Sequence, residues 1–325
     1  MPIPPQRHPE AAAALERHIT WMRHTGLLAG ETSVARYRSW HPEDVAARWF
    51  HACSSPDLDL GCSFVGWFCT FDDQFDGTLG RDPQAVQAHI ETLRELVHSA
   101  PGVTLRGAPP VAVAFADLWA REQDGMSPAW RSRALRHWDQ YLQAQVQEAV
   151  HRRDDLEPGV EEYLQLRYAS GFMPPLWDAV ERIWRCEVPA AAYDSPLLHA
   201  MRDAANQNIN IVNDVYSLAK EEARGDHHNL VLVLERQEAC SRADALKTTY
   251  RMINDWMQEF LTAEAQLPLL YDTLGMSPSA RAAVARFTQG MRAAIRGNYD
   301  WCSRTTRYHG PLNSSDPAAD STTEP

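Results

Sequence analysis

The sequence lacks the features of a membrane-bound or secreted protein. No apolar run approaches the roughly 18 residues that a membrane-spanning helix needs, and the N-terminus has no basic flank followed by an apolar stretch. The cysteines are scattered, and no two form a CxxC pair (Cys53, Cys62, Cys69, Cys186, Cys240 and Cys302). Such usage is typical of buried, reduced thiols rather than of disulfides or a metal–sulfur site. We therefore expect a soluble cytoplasmic protein.

Positive charge is also scarce. The chain has 31 Lys and Arg against 43 Asp and Glu, which gives a net charge of −12. Nucleic-acid binding needs a positive face, so this balance argues against a nucleic-acid partner. An anionic substrate would have to be bound locally, through metal ions and a few arginines.

Alternating β-branched runs are absent, whereas helical periodicity dominates the chain. The pattern predicts helices at 9–26, 41–54, 58–76, 83–99, 109–122, 127–151, 159–171, 174–186, 195–223, 229–235, 241–268 and 277–304. Neither a linker nor an internal repeat divides the 325 residues, so we predict one all-α domain over residues 9–308. The polar segments 1–8 and 309–325 are predicted to be disordered tails.

An acidic segment ends the apolar helix predicted over 58–76. Asp72 and Asp76 are four residues apart, so a continuous helix would place them on one face. Asp73 would point about 100° away, and we expect it to orient a neighbouring group. Asp76 would bind a metal ion directly or through a neighbour.

The helix predicted over 195–223 carries a polar stripe. Asn213, Ser217 and Glu221 recur every four residues, and Asn206 and Asn210 extend the stripe toward the start of the helix. Because the rest of the girth is largely apolar, the helix should be buried and its stripe should face a cavity.

Carboxylate, amide and hydroxyl oxygens on two such faces suit Mg²⁺. That ion takes few protein oxygens and completes its shell with water and substrate phosphate. We therefore predict a metal site at the mouth of an apolar cavity, with these ligands: Asp72, Asp76, Asn213, Ser217 and Glu221.

At these residues the chain resembles the bacterial class I terpene synthases, and those of the pentalenene synthase type most of all. The acidic segment is similar to the family's aspartate-rich motif, and the stripe is similar to its second metal-binding triad. The resemblance covers nearly the whole chain, from about Trp21 to Tyr308. It implies a single-domain class I terpenoid synthase helical bundle around a hydrophobic active-site cavity. It also implies about three Mg²⁺ ions, for which Mn²⁺ can substitute, and a homodimer as an ordinary assembly.

The resemblance extends to residues that sense the substrate. Arg167 lies upstream of Asn213 at the spacing of the family's diphosphate-sensing arginine. Ser170 and Gly171 look like the linker and effector positions, which pass that contact to the substrate through a break in the helix.

Three more residues are similar to diphosphate-binding positions. Lys220 lies beside the metal triad, and Arg307-Tyr308 resembles a terminal pair that hydrogen-bonds diphosphate on closure. The resemblance thus implies a carbon–oxygen lyase of isoprenoid biosynthesis, typical of bacterial secondary metabolism. It would ionise an allylic diphosphate, above all farnesyl diphosphate, and cyclise the carbocation to a sesquiterpene or its alcohol.

A carbocation needs walls that do not react with it. Aromatic faces attract cations by roughly 0.5–2 kcal/mol each and present no reactive lone pair. Our candidates are Trp49, Phe64, Phe68 and Trp301, and of these Phe68 and Trp301 are also counted as catalytic. The alternative for each is an ordinary place in the core.

Some positions depart from the family pattern. Cys69 and Thr70 follow Phe68 where a second aromatic residue is common. Smaller side chains there would enlarge the cavity, so geranylgeranyl diphosphate remains an alternative substrate. Asn206 and Asn210 would either hold a water that captures the final cation or hydrogen-bond within the helix packing.

Other interpretations of these residues, and of the protein class, remain open. Arg167 could pair with Glu161 or Glu162 along its own helix, and Arg307-Tyr308 could belong to a frayed tail. A prenyl chain-elongating transferase shares the bundle and the first motif, but it normally carries a second aspartate-rich motif. The third alternative is a non-catalytic acidic helical interaction protein, which would leave the buried polar stripe unexplained.

Overall fold

The computed structural model describes residues 1–100, 103 and 106–308, and this part of the chain is built from helices without strands. The α-helices are α1 Ala11–His24, α2 Gly30–Ser39, α3 Pro42–Trp49, α4 Ser55–Asp72, α5 Pro83–His98, α6 Pro110–Gln123, α7 Pro128–Arg153, α8 Val160–Ser170, α9 Met173–Ile183, α10 Ala190–Tyr193, α11 Pro196–Glu222, α12 Leu230–Gln237, α13 Arg242–Glu264, α14 Leu267–Thr273 and α15 Pro278–Cys302. Two 3₁₀ turns, Asp73–Asp76 and Leu79–Arg81, join α4 to α5. The predicted all-α class is confirmed.

Serine caps begin five of the helices. In each, the serine hydroxyl accepts a hydrogen bond from the backbone N–H three residues on, which satisfies a donor that the first turn leaves free. These caps are Ser54, Ser127, Ser195, Ser241 and Ser277. Four of these helices also carry proline in the first turn, where its missing N–H costs nothing. Such local signals explain why most predicted boundaries lie within a few residues of the observed ones.

Three helices differ from the prediction. Helix α2 was not predicted because its sequence is mostly polar and it buries only Val34 and Tyr37. Helix α10 has four residues, too few for a periodic signal. The helix predicted over 241–268 ends at Glu264, and α14 begins at Leu267 with Pro268 in its first turn. Proline lacks the N–H that a continuing helix would need.

The N-terminal segment 1–8, expected to be a disordered tail, lies instead against the helical body. The backbone N–H of His8 donates to the carbonyl of Ala47 on α3 at 2.8 Å. Arg296 on α15 donates to the carbonyl of Ile3 at 2.7 Å, and the Ile3 side chain is buried. The predicted tail at 309–325 lies outside the described residues.

Two long helices carry the predicted motifs through the core. Helix α4 packs against α1, α3, α6 and α9 and is buried along most of its length. Helix α11 packs against α8, α12, α13 and α15. Within the described residues, no helix has the length and apolarity to span a bilayer.

Candidate metal centre

The acidic segment changes helix type at its first aspartate. Helix α4 ends at Asp72, and the chain continues as the 3₁₀ turn Asp73–Asp76. The expected α-helical face shared by Asp72 and Asp76 is therefore wrong. A 3₁₀ helix has three residues per turn, so Asp73 and Asp76 share a face instead. Gly80 closes the turn against Phe75, where a Cβ atom would meet the Phe75 carbonyl oxygen at 1.9 Å.

Three basic side chains from distant elements meet the three aspartates. Lys220 Nζ lies 2.9 Å from Asp76 Oδ2 and 3.6 Å from Asp73 Oδ1. Arg307 Nη2 lies 2.8 Å from Asp72 Oδ2 and 2.7 Å from Asp73 Oδ1. Because Lys220 belongs to α11, these contacts bring the acidic segment and the polar stripe to one place.

Arg224 is the third cation, with Nη1 2.5 Å from Asp76 Oδ2, and the sequence interpretation missed it. It lies four residues after Lys220, just past the end of α11. Residues at that spacing share a helical face, and this was the available sequence signal for Arg224.

The stripe on α11 presents its oxygens in an ordered way. Asn213 donates to the Tyr308 hydroxyl at 2.6 Å and accepts from Arg167 at 2.9 Å. The Ser217 hydroxyl donates to the carbonyl of Asn213 at 2.9 Å, which leaves its lone pairs directed elsewhere. Glu221 Oε2 accepts from Asn229 Nδ2 at 2.6 Å. Asn229 caps α12 and was not identified from the sequence.

Arg167 on α8 is bound to α11 rather than to its own helix. Its Nε donates to Asp214 Oδ1 at 3.2 Å. The other oxygen of Asp214 accepts from the Tyr163 hydroxyl at 2.6 Å and from the Leu230 N–H at 3.0 Å. Burial acts to lower the pKa of Arg167, but the charge of Asp214 outweighs it, so this pKa is raised. The pairing with Glu161 or Glu162 along α8 is not what Arg167 adopts.

Helix α8 ends at Ser170 and α9 begins at Met173, so the break consists of Gly171 and Phe172 and lies next to the position predicted for it. Asn210 donates to the carbonyl of Arg167 at 3.1 Å and to Asn206 Oδ1 at 2.6 Å. A Cβ atom on Gly171 would overlap the Asn210 amide, so a larger residue there would have to displace that side chain. Both asparagines are buried, and these contacts match the packing interpretation of the pair.

Aromatic side chains lie below the acidic segment on α4. Phe68 and Phe64 are one and two turns before Asp72, so they occupy the same helical face. Phe172, which follows Gly171, has φ of 67°. Its ring stacks on that of Phe68 with the centroids 4.2 Å apart, and its centroid lies 4.6 Å from that of Phe64. Tyr141 lies 5.0 Å from Phe172. Phe172 and Tyr141 were not identified from the sequence, which offers no signal for a left-handed aromatic residue.

The two predicted tryptophans lie elsewhere. Trp49 contacts the edge of Phe50 and packs against Gly297 of α15, where a Cβ atom would meet its ring at 2.7 Å. Trp301 donates its indole N–H to the carbonyl of Trp40 at 2.8 Å and contacts the Tyr308 ring at 5.9 Å. The structure therefore does not bring either tryptophan into the aromatic group on α4. Two surface grooves of about 720 and 560 Å³ are lined by other residues.

The electrostatics of the carboxylates suit a cation. Burial, and next the charge of Asp214, raise the pKa of Glu221. Burial also acts to raise the pKa of Asp72, but the charges of Arg307 and Lys220 outweigh it and hold this pKa below its ordinary value. Asp72 is therefore anionic at neutral pH, and a divalent ion beside Glu221 would stabilise its charged form.

The donor set fits a hard divalent ion. In the described part of the chain, no three carboxylates, imidazoles or thiolates are grouped so that they alone could hold a metal. The amide of Asn213 and the hydroxyl of Ser217 would therefore have to contribute, and Mg²⁺ accepts such oxygens with water completing its shell.

Comparisons with known proteins give the family of this chain. Residues 63–259 match the family model described as terpene synthase family 2, C-terminal metal binding. Pentalenene synthase of Streptomyces avermitilis is 37% identical over 310 residues, which cover 95% of this chain and 91% of that protein. A (−)-β-caryophyllene synthase of Saccharothrix espanaensis, named as cyclising (2E,6E)-farnesyl diphosphate, is 34% identical and covers 95% of this chain and 87% of its own length.

Solved structures give the same result. Germacradien-4-ol synthase of Streptomyces citricolor superposes with a TM-score of 0.83 at 31% identity, covering 94% of this chain and 97% of that one. The family match spans more than half of the sequence, and the relatives span nearly all of it. The chain belongs to the terpene synthase family.

Proposed function

We propose that this terpene synthase cyclises farnesyl diphosphate in a Mg²⁺-dependent reaction and releases diphosphate with a sesquiterpene or a sesquiterpene alcohol. The observation that carries the proposal is the convergence of both predicted metal motifs and four basic side chains at one place. Lys220, Arg224 and Arg307 contact the aspartates directly, and Arg167 contacts Asn213.

The chemistry explains this excess of charge. Ionisation of an allylic diphosphate leaves a highly charged anion, and the enzyme must stabilise that charge as it develops. Divalent ions, when bound, would supply much of this stabilisation. Asp72, Asn213, Ser217 and Glu221 are the residues that would hold them, with Asp76 beside them.

Basic residues would complete the diphosphate site. The Arg167 and Arg307 guanidinium groups and the Lys220 ammonium group bind phosphate oxygens with the same donors that they offer to carboxylates. Each can therefore exchange a protein partner for the substrate. The Tyr308 hydroxyl, now bonded to Asn213, is a further donor at the same edge.

The aromatic side chains would accept the positive half of the ionised substrate. Phe68 and Phe64 lie one and two turns before Asp72 on α4, and the rings of Phe172 and Tyr141 pack beside them. Their faces attract a carbocation without reacting with it, so they would guide the chain of the substrate away from water.

The substrate test compares geranyl, farnesyl and geranylgeranyl diphosphate, each with Mg²⁺ and each with and without isopentenyl diphosphate. We expect cyclic hydrocarbon or alcohol products from farnesyl diphosphate, detected by gas chromatography and mass spectrometry, and none in chelator. If geranylgeranyl diphosphate gave cyclic products and farnesyl diphosphate gave none, the choice of substrate would be overturned. Elongated diphosphates would identify a transferase, and no turnover with any substrate would refute the proposal.

A matched pair of variants tests the metal ligands. Glu221→Gln removes a charge from the proposed site, and we expect turnover to fall about 100-fold or more. Glu222→Gln alters the adjacent residue, which is exposed and paired with Arg242, and should leave turnover near the wild-type level. Circular dichroism would check that both variants keep the helical fold. Near-normal turnover in Glu221→Gln would remove Glu221 from the metal site.

A further inference from the structure

The end of α2 holds the segment that follows α15. We define the strap as Thr305–Tyr308 and the seat as Ser39–His41. The Thr305 hydroxyl donates to the Trp40 carbonyl at 2.9 Å, and the Thr306 hydroxyl donates to the Ser39 carbonyl at 2.7 Å. The Trp301 indole, at the last turn of α15, donates to the carbonyls of Trp40 and His41 at 2.8 and 3.1 Å.

These acceptors are available because α2 ends there. The last carbonyls of an α-helix have no partner within the helix. His41 adopts φ of 53°, and Pro42 then begins α3, so the chain turns away and leaves the Ser39 and Trp40 carbonyls open. The His41 carbonyl also accepts from the Asp44 N–H at 3.0 Å. The strap supplies hydroxyl donors to the carbonyls of Trp40 and Ser39, and Trp301, which precedes the strap on α15, adds its indole N–H. Together these donors give the strap a defined position.

The side chain of Trp40 reaches the functional end of the strap. The Arg307 guanidinium carbon lies 5.8 Å from the centroid of the Trp40 ring and also 5.8 Å from that of Tyr308. The same guanidinium forms the ion pairs with Asp72 and Asp73. The Arg307 side chain is only 6% exposed, so its orientation is set by these neighbours.

We propose that Trp40 is a positioning residue: its ring and carbonyl hold the strap on the seat, and this places Arg307 at the diphosphate site. The inference rests on the proposed function, since Arg307 is there a diphosphate donor. Loss of the seat should slow ionisation and admit water, so that more of the substrate ends as acyclic or prematurely quenched alcohols.

The first experiment is a double-mutant cycle. Trp40→Leu should lower kcat roughly ten-fold and raise the acyclic fraction, whereas Trp40→Phe, which keeps an aromatic face, should recover most of the loss. In an Arg307→Ala background the Trp40→Leu change should have little further effect, because the two residues act together. Additive effects of the two substitutions on kcat and on products would overturn the proposal.

A matched control separates this role from general loss of a tryptophan. Trp21 is also partly buried, lies 5.5 Å from the Arg121 guanidinium and donates its indole to Asp117 at 2.7 Å. Trp21→Leu should leave the product distribution unchanged. Thr305→Val removes, with little change in volume, a hydroxyl that donates to the Trp40 carbonyl and accepts from the Arg307 N–H. It should shift products in the same direction as Trp40→Leu.

The second experiment needs no substrate or metal. Hydrogen exchange followed by mass spectrometry, on the metal-free protein, should show that Trp40→Leu and Thr305→Val raise exchange in residues 303–308, whereas Trp21→Leu does not. Unchanged exchange in the strap would refute the proposal that the seat holds it, even if the enzyme is active. Raised exchange in a protein that turns over no diphosphate substrate would instead keep the seat and refute the proposed function.

Discussion

Asp214 is a fully buried carboxylate whose three hydrogen bonds join α8, α11 and the start of α12. A buried charge is costly unless it is paired and hydrogen-bonded, so this residue constrains its partners. Arg167 is held by Nε and keeps Nη2 directed at Asn213. The arginine that we assign to the substrate is thus oriented by a residue that would not touch it.

The Gly171–Asn210 contact gives a test at the scale of single residues. We expect Gly171→Ala to destabilise the protein by about 1–3 kcal/mol, because its Cβ atom would overlap the Asn210 amide. Adding Asn210→Ala removes the overlapping atoms, so the double variant should be more stable than the sum of the single effects predicts. Thermal unfolding of the four proteins measures this. Strict additivity of the two effects on stability would show that the Asn210 side chain is not what requires glycine at position 171.

At the scale of elements, the 3₁₀ turn decides which aspartates act together. It aligns Asp73 and Asp76 with Lys220, while Arg307 joins Asp72 to Asp73. The turn therefore connects α4, α11 and the strap through cations that lie between their ends. A straight continuation of α4 would not give this alignment.

Lys220 tests the connection, because the chain has only one other lysine, Lys247. Lys220→Met should lower kcat/KM about ten-fold or more, since it removes a charge from the diphosphate site and the cation that lies between Asp73 and Asp76. Lys247 is exposed on α13, and Lys247→Met should be neutral. In a Lys247→Arg background, Mg²⁺ with inorganic diphosphate should protect Lys220 from acylation. Equal effects of the two Met variants would contradict the assignment.

At the scale of the whole molecule, stability depends on packing between helices that are far apart in the sequence, and some of it depends on pH. His18 on α1 is buried against α4 and lies 2.8 Å from the Tyr37 hydroxyl of α2. Burial lowers the pKa of His18 to about 3, from an ordinary value of 6.5. Below pH 6.5 the unfolded chain therefore binds a proton that the folded protein does not.

This difference predicts a loss of stability in acid. Between pH 7 and pH 5 the His18 contribution should fall by about 2 kcal/mol, and it should continue to fall toward the folded pKa. His18→Gln should reduce this pH dependence, whereas His24→Gln, an exposed change on the same helix, should not. Denaturant unfolding at both pH values measures the difference. The same pH dependence in His18→Gln and wild type would refute the assignment.

The sequence by itself determined the helical class and most helix starts, and it contains the residues of both candidate metal motifs. Caps such as Ser195 and the four-residue repeat of Asn213, Ser217 and Glu221 act within one or two turns, so a local pattern contains them. Helix α2 gave no such signal, because it is mostly polar and buries only Val34 and Tyr37. The carbonyls that it offers to the strap became visible only in the structure.

Only the tertiary structure decided which groups meet. The partners of Asn210 and the cations on the aspartates come from segments that are distant in sequence. The seat at Trp40 joins residues near opposite ends of the chain. Helical periodicity reports which face of a helix is buried, but it carries no information about what packs against that face, and that contact orients every side chain of the candidate site.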